Sequence, residues 1–155
     1  MISSVKFFQK LKYSTIIVMS ILYIVIGIRH FLDPSFFLKI MPPYIPFQIE
    51  MVYISGFFEV LFGFFLLFKR FRKNSAFGLI LLLIAVFPAN IYIYQNPEIL
   101  CASKSQAFIR LCFQVPLILI AYWHSIEKSS FKYSLMCSFL FVPTLFYFLT
   151  LKIGC

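Results

Sequence analysis

One apolar stretch with a single carboxylate inside it constrains the fold of this chain more than any other feature. The run Ile49–Phe68 is 20 residues long; Glu50 is its second residue, and Glu59 is the only carboxylate in its interior. A helix of about 20 apolar residues is long enough to cross the hydrocarbon core of a bilayer. The run therefore predicts a transmembrane helix with Glu59 near mid-membrane, where an ionised carboxylate is costly unless it is paired or protonated.

Two glycines share the predicted helix face of this carboxylate. Gly56, Glu59 and Gly63 lie at i, i+3 and i+7, so a helix places them on one side. Glycines let a neighbouring helix approach closely, and the face is therefore predicted to meet protein rather than lipid. Two interpretations of Glu59 stay open: it belongs to a binding or proton-exchanging site, or it only pairs two helices.

Composition extends the membrane interpretation to the whole chain. The 155 residues are 62% hydrophobic and 12% charged, whereas soluble domains carry about 25% charge. We therefore expect an all-α membrane protein of one domain, with the lipid bilayer as its surroundings. The net charge of +9 comes from basic residues between apolar runs, which act as topology signals and contact anionic lipid. Without a nucleic-acid-binding motif, this charge does not indicate a nucleic-acid partner.

Five apolar runs predict a four-helix transmembrane bundle followed by a fifth, C-terminal transmembrane helix. The predicted helices are Tyr13–Leu32, Ile49–Phe68, Ser75–Tyr94, Ala107–Trp123 and Phe131–Leu151. Pro88 and Pro116 each remove a backbone donor inside the third and fourth helices. The chain divides into a basic cytoplasmic N-terminus (1–13), a four-helix membrane domain (14–123) and a C-terminal extension (124–155). The extension is expected to pack on the outside of the four helices or to hold a partner.

The connection between the first two membrane helices has its own pattern. Asp33 before Pro34 is typical of a helix start, because the acid caps and the proline occupies the first turn. A short helix over residues 34–40 is expected to lie in the membrane interface. The segment Met41–Pro46 contains three prolines, which stiffen it. It is either a simple connector or a rigid lid over the mouth of the bundle.

The cysteines do not form a recognisable redox or metal motif. Cys101, Cys112, Cys137 and Cys155 include no CxxC pair and no spacing typical of a zinc site. One disulfide stays open as an interpretation, joining Cys101 to Cys112 or to Cys155. No haem, flavin or iron–sulfur signature is present in the sequence, so any electron carrier would be a diffusible quinone or would lie in a partner protein.

The distribution of Lys and Arg predicts the orientation in the membrane. The N-terminus and the turns at 69–74 and 124–132 hold nine of these residues, and the opposite connections hold five. The positive-inside rule then places the N-terminus in the cytoplasm and, with five spans, the C-terminus outside. The expected location is a bacterial-type cytoplasmic (inner) membrane, which the chain crosses several times.

This topology gathers polar side chains from four helices in the outer half of the bundle. The predicted ligand-binding residues are Tyr23, His30, Glu59, Asn90, Arg110 and Gln114. Glu59 and His30 are the candidate catalytic groups, since imidazole titrates near neutral pH and can carry protons. Arg110 would be the counter-charge for Glu59 or for a bound anionic group. His124 falls at the cytoplasmic end, where a structural role is expected.

Several of these residues also have a simpler interpretation. His30 is then an interfacial histidine, Asn90 a helix cap, and Arg110 a side chain that extends to the lipid headgroups. No metal site is predicted from the sequence.

Four motifs, in order, resemble the DoxX-like family of small membrane proteins. They are Gly27–Phe31, Met41–Pro46, Ser55–Glu59 and Leu82–Asn90, and the resemblance covers about residues 14–123. It implies a four-helix membrane bundle. The family takes its name from a subunit associated with a thiosulfate:quinone oxidoreductase, and some members are linked to membrane redox complexes. The positions that the resemblance marks as functional are His30, Glu59, Asn90 and Arg110.

Three functions are compatible with these observations. The first is a redox-associated subunit that binds a quinone or another lipophilic molecule at the buried polar site, with or without catalysis of its own. The second is a non-enzymatic assembly or stabilising partner of a membrane or redox protein, in which the polar residues only set helix register. The third is a transporter for a small solute or for protons, with Glu59 as the carrier. The missing inverted repeat makes a complete transporter the weakest of the three.

Overall fold

The computed structural model describes residues 2–150, with side chains for residues 7–146. Every regular element in this range is a helix. The α-helices are α1 (Ile2–Leu32), α2 (Pro34–Lys39), α3 (Gln48–Leu66), α4 (Arg72–Ala85), α5 (Phe87–Gln95), α6 (Lys104–Cys112), α7 (Gln114–Ser125) and α8 (Phe131–Thr150). A single 3-10 turn, Pro97–Leu100, stands between α5 and α6.

Four helical stretches are long and apolar enough to cross a membrane. They are Phe7–Leu32 in α1, Gln48–Leu66 in α3, Arg72–Gln95 in α4 and α5, and Lys104–Ser125 in α6 and α7. The described side chains of α8 cover Phe131–Phe146, a shorter apolar helix. The predicted all-α fold, with four membrane helices and a further C-terminal helix, is confirmed.

The long helices pack side by side as a closed ring. α1 contacts α3, α3 contacts α4, α4 contacts α7, α7 contacts α8, and α8 returns to α1. The apolar core inside this ring takes side chains from all five, among them Ile16, Leu66, Leu79, Ile120 and Phe141. The C-terminal extension therefore packs on α1 and α7 and contributes to the core of the bundle.

Glycines set the distance between α1 and α3. A Cβ atom built on Gly27 would lie 2.7 Å from the Gly56 carbonyl oxygen, and one built on Gly56 would lie 2.5 Å from the Cβ atom of His30. A Cβ atom on Gly63 would lie 3.1 Å from the Cβ atom of Tyr23. The face predicted to meet protein does so, and its partner is α1.

Prolines interrupt two of the membrane helices. The predicted continuous helix Ser75–Tyr94 is instead two helices separated at Val86, because Pro88 has no N–H to donate to the carbonyl one turn earlier. The predicted helix Ala107–Trp123 is likewise divided, between α6 and α7, close to Pro116.

The start of α6 also differs from the prediction. The helix begins at Lys104, three residues before the expected Ala107, because Ser103 and Gln106 form a capping box. The Ser103 hydroxyl accepts from the Gln106 amide at 3.2 Å, and the Gln106 side chain accepts from the Ser103 amide at 2.8 Å.

The connection after α1 folds as expected at its start. The Asp33 carboxylate accepts from the Phe36 amide at 3.3 Å and caps α2. The proline-rich segment is tied down where Gln48 Nε2 donates to the Pro42 carbonyl at 3.0 Å. Phe47 precedes α3 with φ of 52°, a left-handed conformation that is strained for a bulky side chain. The segment is thus an ordered strap between α2 and α3.

One of the two disulfides considered from the sequence is wrong. Cys101 is disulfide-bonded, whereas Cys112 and Cys137 are free thiols. Cys155, the other partner considered, lies outside the described residues.

Candidate functional site

An acid and an imidazole meet inside the bundle where α1 crosses α3. His30 Nδ1 lies 3.5 Å from Glu59 Oε2, and the two side chains are only 7% and 13% exposed. Nδ1 is also 3.0 Å from the Ile26 carbonyl oxygen, which can only accept, so Nδ1 carries a hydrogen and donates it there. Glu59 Oε2 is consequently close to the imidazole but has no hydrogen-bond partner among the described residues. The contact is an electrostatic one.

Two hydroxyl groups continue this polar line along α1. Ser20, Tyr23, Gly27 and His30 follow +3, +4, +3 spacing along α1, and all four are buried. The Tyr23 hydroxyl lies within electrostatic range of Glu59. Neither the Tyr23 hydroxyl nor the Ser20 hydroxyl has a hydrogen-bond partner among the described residues. Buried polar atoms nearly always find a partner in a protein or in water, so these oxygens indicate a site that takes a further group.

The remaining predicted residues form a second group on α5, α6 and α7. Arg110 Nε donates to Asn90 Oδ1 at 3.1 Å, and Asn90 is buried. Gln114 is also buried, and its Oε1 atom has no described partner. Asn90 therefore lies inside α5 as the acceptor of an arginine, so the interpretation of it as a helix cap is wrong.

An aromatic ring from α2 covers the imidazole. Phe37 stacks on His30 with ring centroids 3.5 Å apart and an interplanar angle of 21°. Phe36 and Phe37 also pack against a buried apolar cluster of Ile40, Ile93 and Ala107. α2 therefore covers His30 and packs near α5 and α6. Whether Met41–Pro46 is a connector or a lid stays a prediction. His30 itself is only 5% exposed.

The described contacts place the six predicted residues in two groups. Tyr23, His30 and Glu59 form the first, and Asn90, Arg110 and Gln114 form the second. Sequence reasoning missed Ser20 and Phe37 as neighbours of the site. Ser20 could have been found from the α1 stripe, whereas the stacking of Phe37 depends on how α2 folds back. Among the described residues, no three His, Cys, Asp or Glu side chains cluster as a metal site would.

The end of the bundle near Lys12 holds another buried polar cluster, separate from these two groups. His124 Nε2 is 3.0 Å from Thr15 Oγ1, and Thr15 Oγ1 donates to the Lys12 carbonyl at 2.8 Å. Lys12 Nζ donates to the Ile126 carbonyl at 2.5 Å and lies 5.5 Å from the centre of the Trp123 ring. These contacts join α1 to α7, which agrees with a structural role for His124.

The fold and these side chains define a class: a small helical membrane protein with an acid–imidazole pair buried at a glycine-lined helix crossing. Residues 19–125 match the family described as Domain of unknown function (DUF8561), and the chain belongs to that family. No curated protein and no solved structure matches the chain. The matched segment contains all six predicted site residues and ends before α8.

Proposed function

We propose that this protein binds a lipophilic molecule with carbonyl or hydroxyl groups, such as a quinone, at the Glu59–His30 pair. The observation that carries the proposal is a set of buried oxygens without described partners, on Tyr23, Glu59 and Gln114. Such atoms suit a ligand that offers both hydrogen-bond donors and acceptors. Glu59 and His30 would exchange protons with the ligand, and Tyr23 and Gln114 would orient it.

A quinone fits the residues that are present. Its carbonyl oxygens accept hydrogen bonds, which the Tyr23 hydroxyl and a protonated Glu59 carboxyl can donate. Bound there, it would supply two-electron redox chemistry inside the bundle. We therefore propose a redox-associated role, in keeping with the resemblance to DoxX-like proteins. A membrane or redox partner protein would exchange electrons with the bound quinone.

The specific alternative is a structural role, and the glycine crossing favours it. Gly27 and Gly56 let α1 and α3 pack closely. In this alternative, the only role of the buried Glu59 is to hold the two helices in register. In that case the protein would act by binding a partner protein rather than a small ligand.

We further propose an orientation with the basic end in the cytoplasm. Lys and Arg residues concentrate at the Lys12–His124 end of the bundle. Cys101, in the connection at the other end, is disulfide-bonded, as expected for a side that faces an oxidising compartment. Single-cysteine reporters at Glu98 and Lys128 test this in intact cells. An impermeant maleimide should label position 98 from outside and not position 128, and the reverse pattern would overturn the orientation.

The ligand proposal is tested by binding of a short-chain benzoquinone to the protein in lipid nanodiscs. Glu59→Gln keeps the shape of the side chain and removes its charge and its proton exchange. We expect wild type to bind the benzoquinone saturably and Glu59→Gln to bind it much more weakly with unchanged thermal stability. Glu50→Gln is the matched control, because Glu50 is an exposed acid on the same helix. Equal binding by wild type and Glu59→Gln would contradict the proposal, and loss of folding in Glu59→Gln alone would favour the structural role.

A further inference from the structure

The end of the bundle near Lys12 is strongly basic. Among the side chains that the structure describes, this end has one acid, Glu127, and its carboxylate is already engaged, 2.9 Å from Lys69 Nζ. The Lys and Arg residues of this end are Lys10, Lys12, Lys69, Arg70, Arg72, Lys73, Lys128 and Lys132. Most of this positive charge is therefore not balanced by a described carboxylate.

One of these cations, Arg72, is held in a fixed position at the start of α4. Its Nε atom donates to the Leu66 carbonyl at 3.0 Å, and its Nη2 atom donates to the Leu67 carbonyl at 3.1 Å. Both carbonyls belong to the C-terminal end of α3, where unpaired carbonyls and the helix dipole favour a cation. Within the described part of the chain no hydrogen bond uses Nη1, so this nitrogen is left for a further acceptor.

A groove on the surface of α1 lies beside this guanidinium. Gln9, Lys10, Tyr13 and Ser14 line the groove, which has a volume of about 530 Å³ and a mostly apolar wall. The Arg72 guanidinium carbon lies 6.0 Å from the centre of the Tyr13 ring, and Tyr13 is 53% exposed. The α1 groove therefore combines an apolar wall with two cations, one in its lining and one next to its aromatic ring.

The α1 groove stands at the end of the membrane-spanning helices. It belongs to the opening turns of the stretch Phe7–Leu32, whose 26 residues make a helix about 39 Å long. That length exceeds the ~30 Å hydrocarbon core, so the end of the stretch reaches the headgroup region. Arg72 is likewise the first residue of the stretch Arg72–Gln95. Tyr13 stands where aromatic rings are enriched in membrane proteins.

We propose that the α1 groove binds a single anionic phospholipid, with the lipid phosphate against Arg72 and Lys10. Guanidinium and ammonium groups are the side-chain donors that suit phosphate, and the apolar wall suits the glycerol and acyl part of the lipid. A free phosphate would leave this wall without a contact. Tyr13 is about 25 Å from His30 along α1, so the inference does not rest on a ligand at Glu59.

A specific lipid site differs from the general attraction between basic turns and an anionic membrane. General attraction depends on the number of charges, so it weakens equally when any cation of this end is removed. A site depends on where the cation stands. Lys10 lines the α1 groove, whereas Lys73 is an exposed cation next to Arg72 that does not line it. Lys10→Gln and Lys73→Gln are therefore a matched pair, because each removes one charge from the same end.

The test is native mass spectrometry of the protein released from bilayers of phosphatidylcholine with a minor share of phosphatidylglycerol. We expect wild type to retain phosphatidylglycerol in preference to phosphatidylcholine. Lys10→Gln should bind it about fivefold more weakly, the loss expected for one cation at a membrane surface, and Lys73→Gln should bind it as wild type does. Arg72→Gln should also lose the lipid. If that variant does not fold, Lys10→Gln carries the test, because the Lys10 side chain is exposed.

Three results would overturn the site: no preference of wild type for phosphatidylglycerol, equal affinity of wild type and Lys10→Gln, or an equal loss in Lys10→Gln and Lys73→Gln. Excess inorganic phosphate distinguishes a lipid from a free anion. The lipid should stay bound, because inorganic phosphate has no acyl chain to place on the apolar wall. Displacement of the lipid by phosphate, or an acidic protein bound at Lys10 in its place, would contradict the proposal.

Discussion

Replacement of Gly56 by alanine should disrupt the bundle at the site itself. The new methyl carbon would stand 2.5 Å from His30 Cβ and 2.9 Å from the Gly27 carbonyl oxygen, whereas carbon atoms pack best at about 3.5–4.0 Å. Because the neighbours are backbone or near-backbone atoms, α1 and α3 must separate by about 1 Å. Overpacking of this kind costs about 1–3 kcal/mol, and the gain from alanine in a helix offsets about 0.5–1 kcal/mol of it.

Gly63→Ala is the matched control on the same face. Its methyl carbon would lie 3.1 Å from Tyr23 Cβ and 3.2 Å from Ile24 Cγ1, contacts that shifts of a few tenths of an ångström relieve. We therefore expect a loss of roughly 1–2 kcal/mol for Gly56→Ala and a change within about 1 kcal/mol for Gly63→Ala. SDS titration in mixed micelles, followed by the fluorescence of the single, buried Trp123, measures both. A Gly56→Ala variant as stable as wild type, or less affected than Gly63→Ala, would refute the reasoning.

Three further predictions concern polar groups. Asn90→Ala removes the acceptor of Arg110 Nε and should lower the free energy of unfolding by about 1–3 kcal/mol, measured by the same titration. Hydrogen bonds from the Ser35 hydroxyl and the Phe36 amide lower the pKa of the Asp33 carboxyl group. The ionised carboxylate therefore stabilises α2 fully above the ordinary pKa of an aspartate, and this stabilisation is lost as the pH falls through the lowered pKa. Amide exchange in α2 should show this loss in wild type and not in Asp33→Asn, which caps without titrating; identical pH profiles would contradict it. Glu127→Gln breaks an ion pair with Lys69 in which both side chains are about three-quarters exposed, and it should leave the unfolding midpoint unchanged.

Local sequence signals predicted the parts of this structure that depend on neighbouring residues. The Asp33–Pro34 start of α2 and the buried stripe through Tyr23 and His30 follow from cap chemistry and helix period. The glycine face around Glu59 follows from the same period. The capping box Ser103–Gln106 is also a local signal, but the helix expected from Ala107 onward does not make use of it.

Other parts depend on contacts between residues far apart in the chain. Thr15 and His124 are 109 positions apart, and no local pattern indicates that they meet. The position of α8 between α1 and α7 depends on how five helices share one core. Likewise, the Phe37–His30 stacking requires the strap after α2 to fold back, with Phe47 held in a left-handed conformation.

The most direct test of a ligand site at Glu59 is mass spectrometry of lipophilic molecules that copurify with the protein in lipid nanodiscs. Wild type is compared with folded Glu59→Gln and with the control Glu50→Gln. The account predicts a quinone-like species that wild type and Glu50→Gln retain and that Glu59→Gln loses. An empty bundle in all three, with an accompanying protein in its place, would contradict the account and leave the structural role.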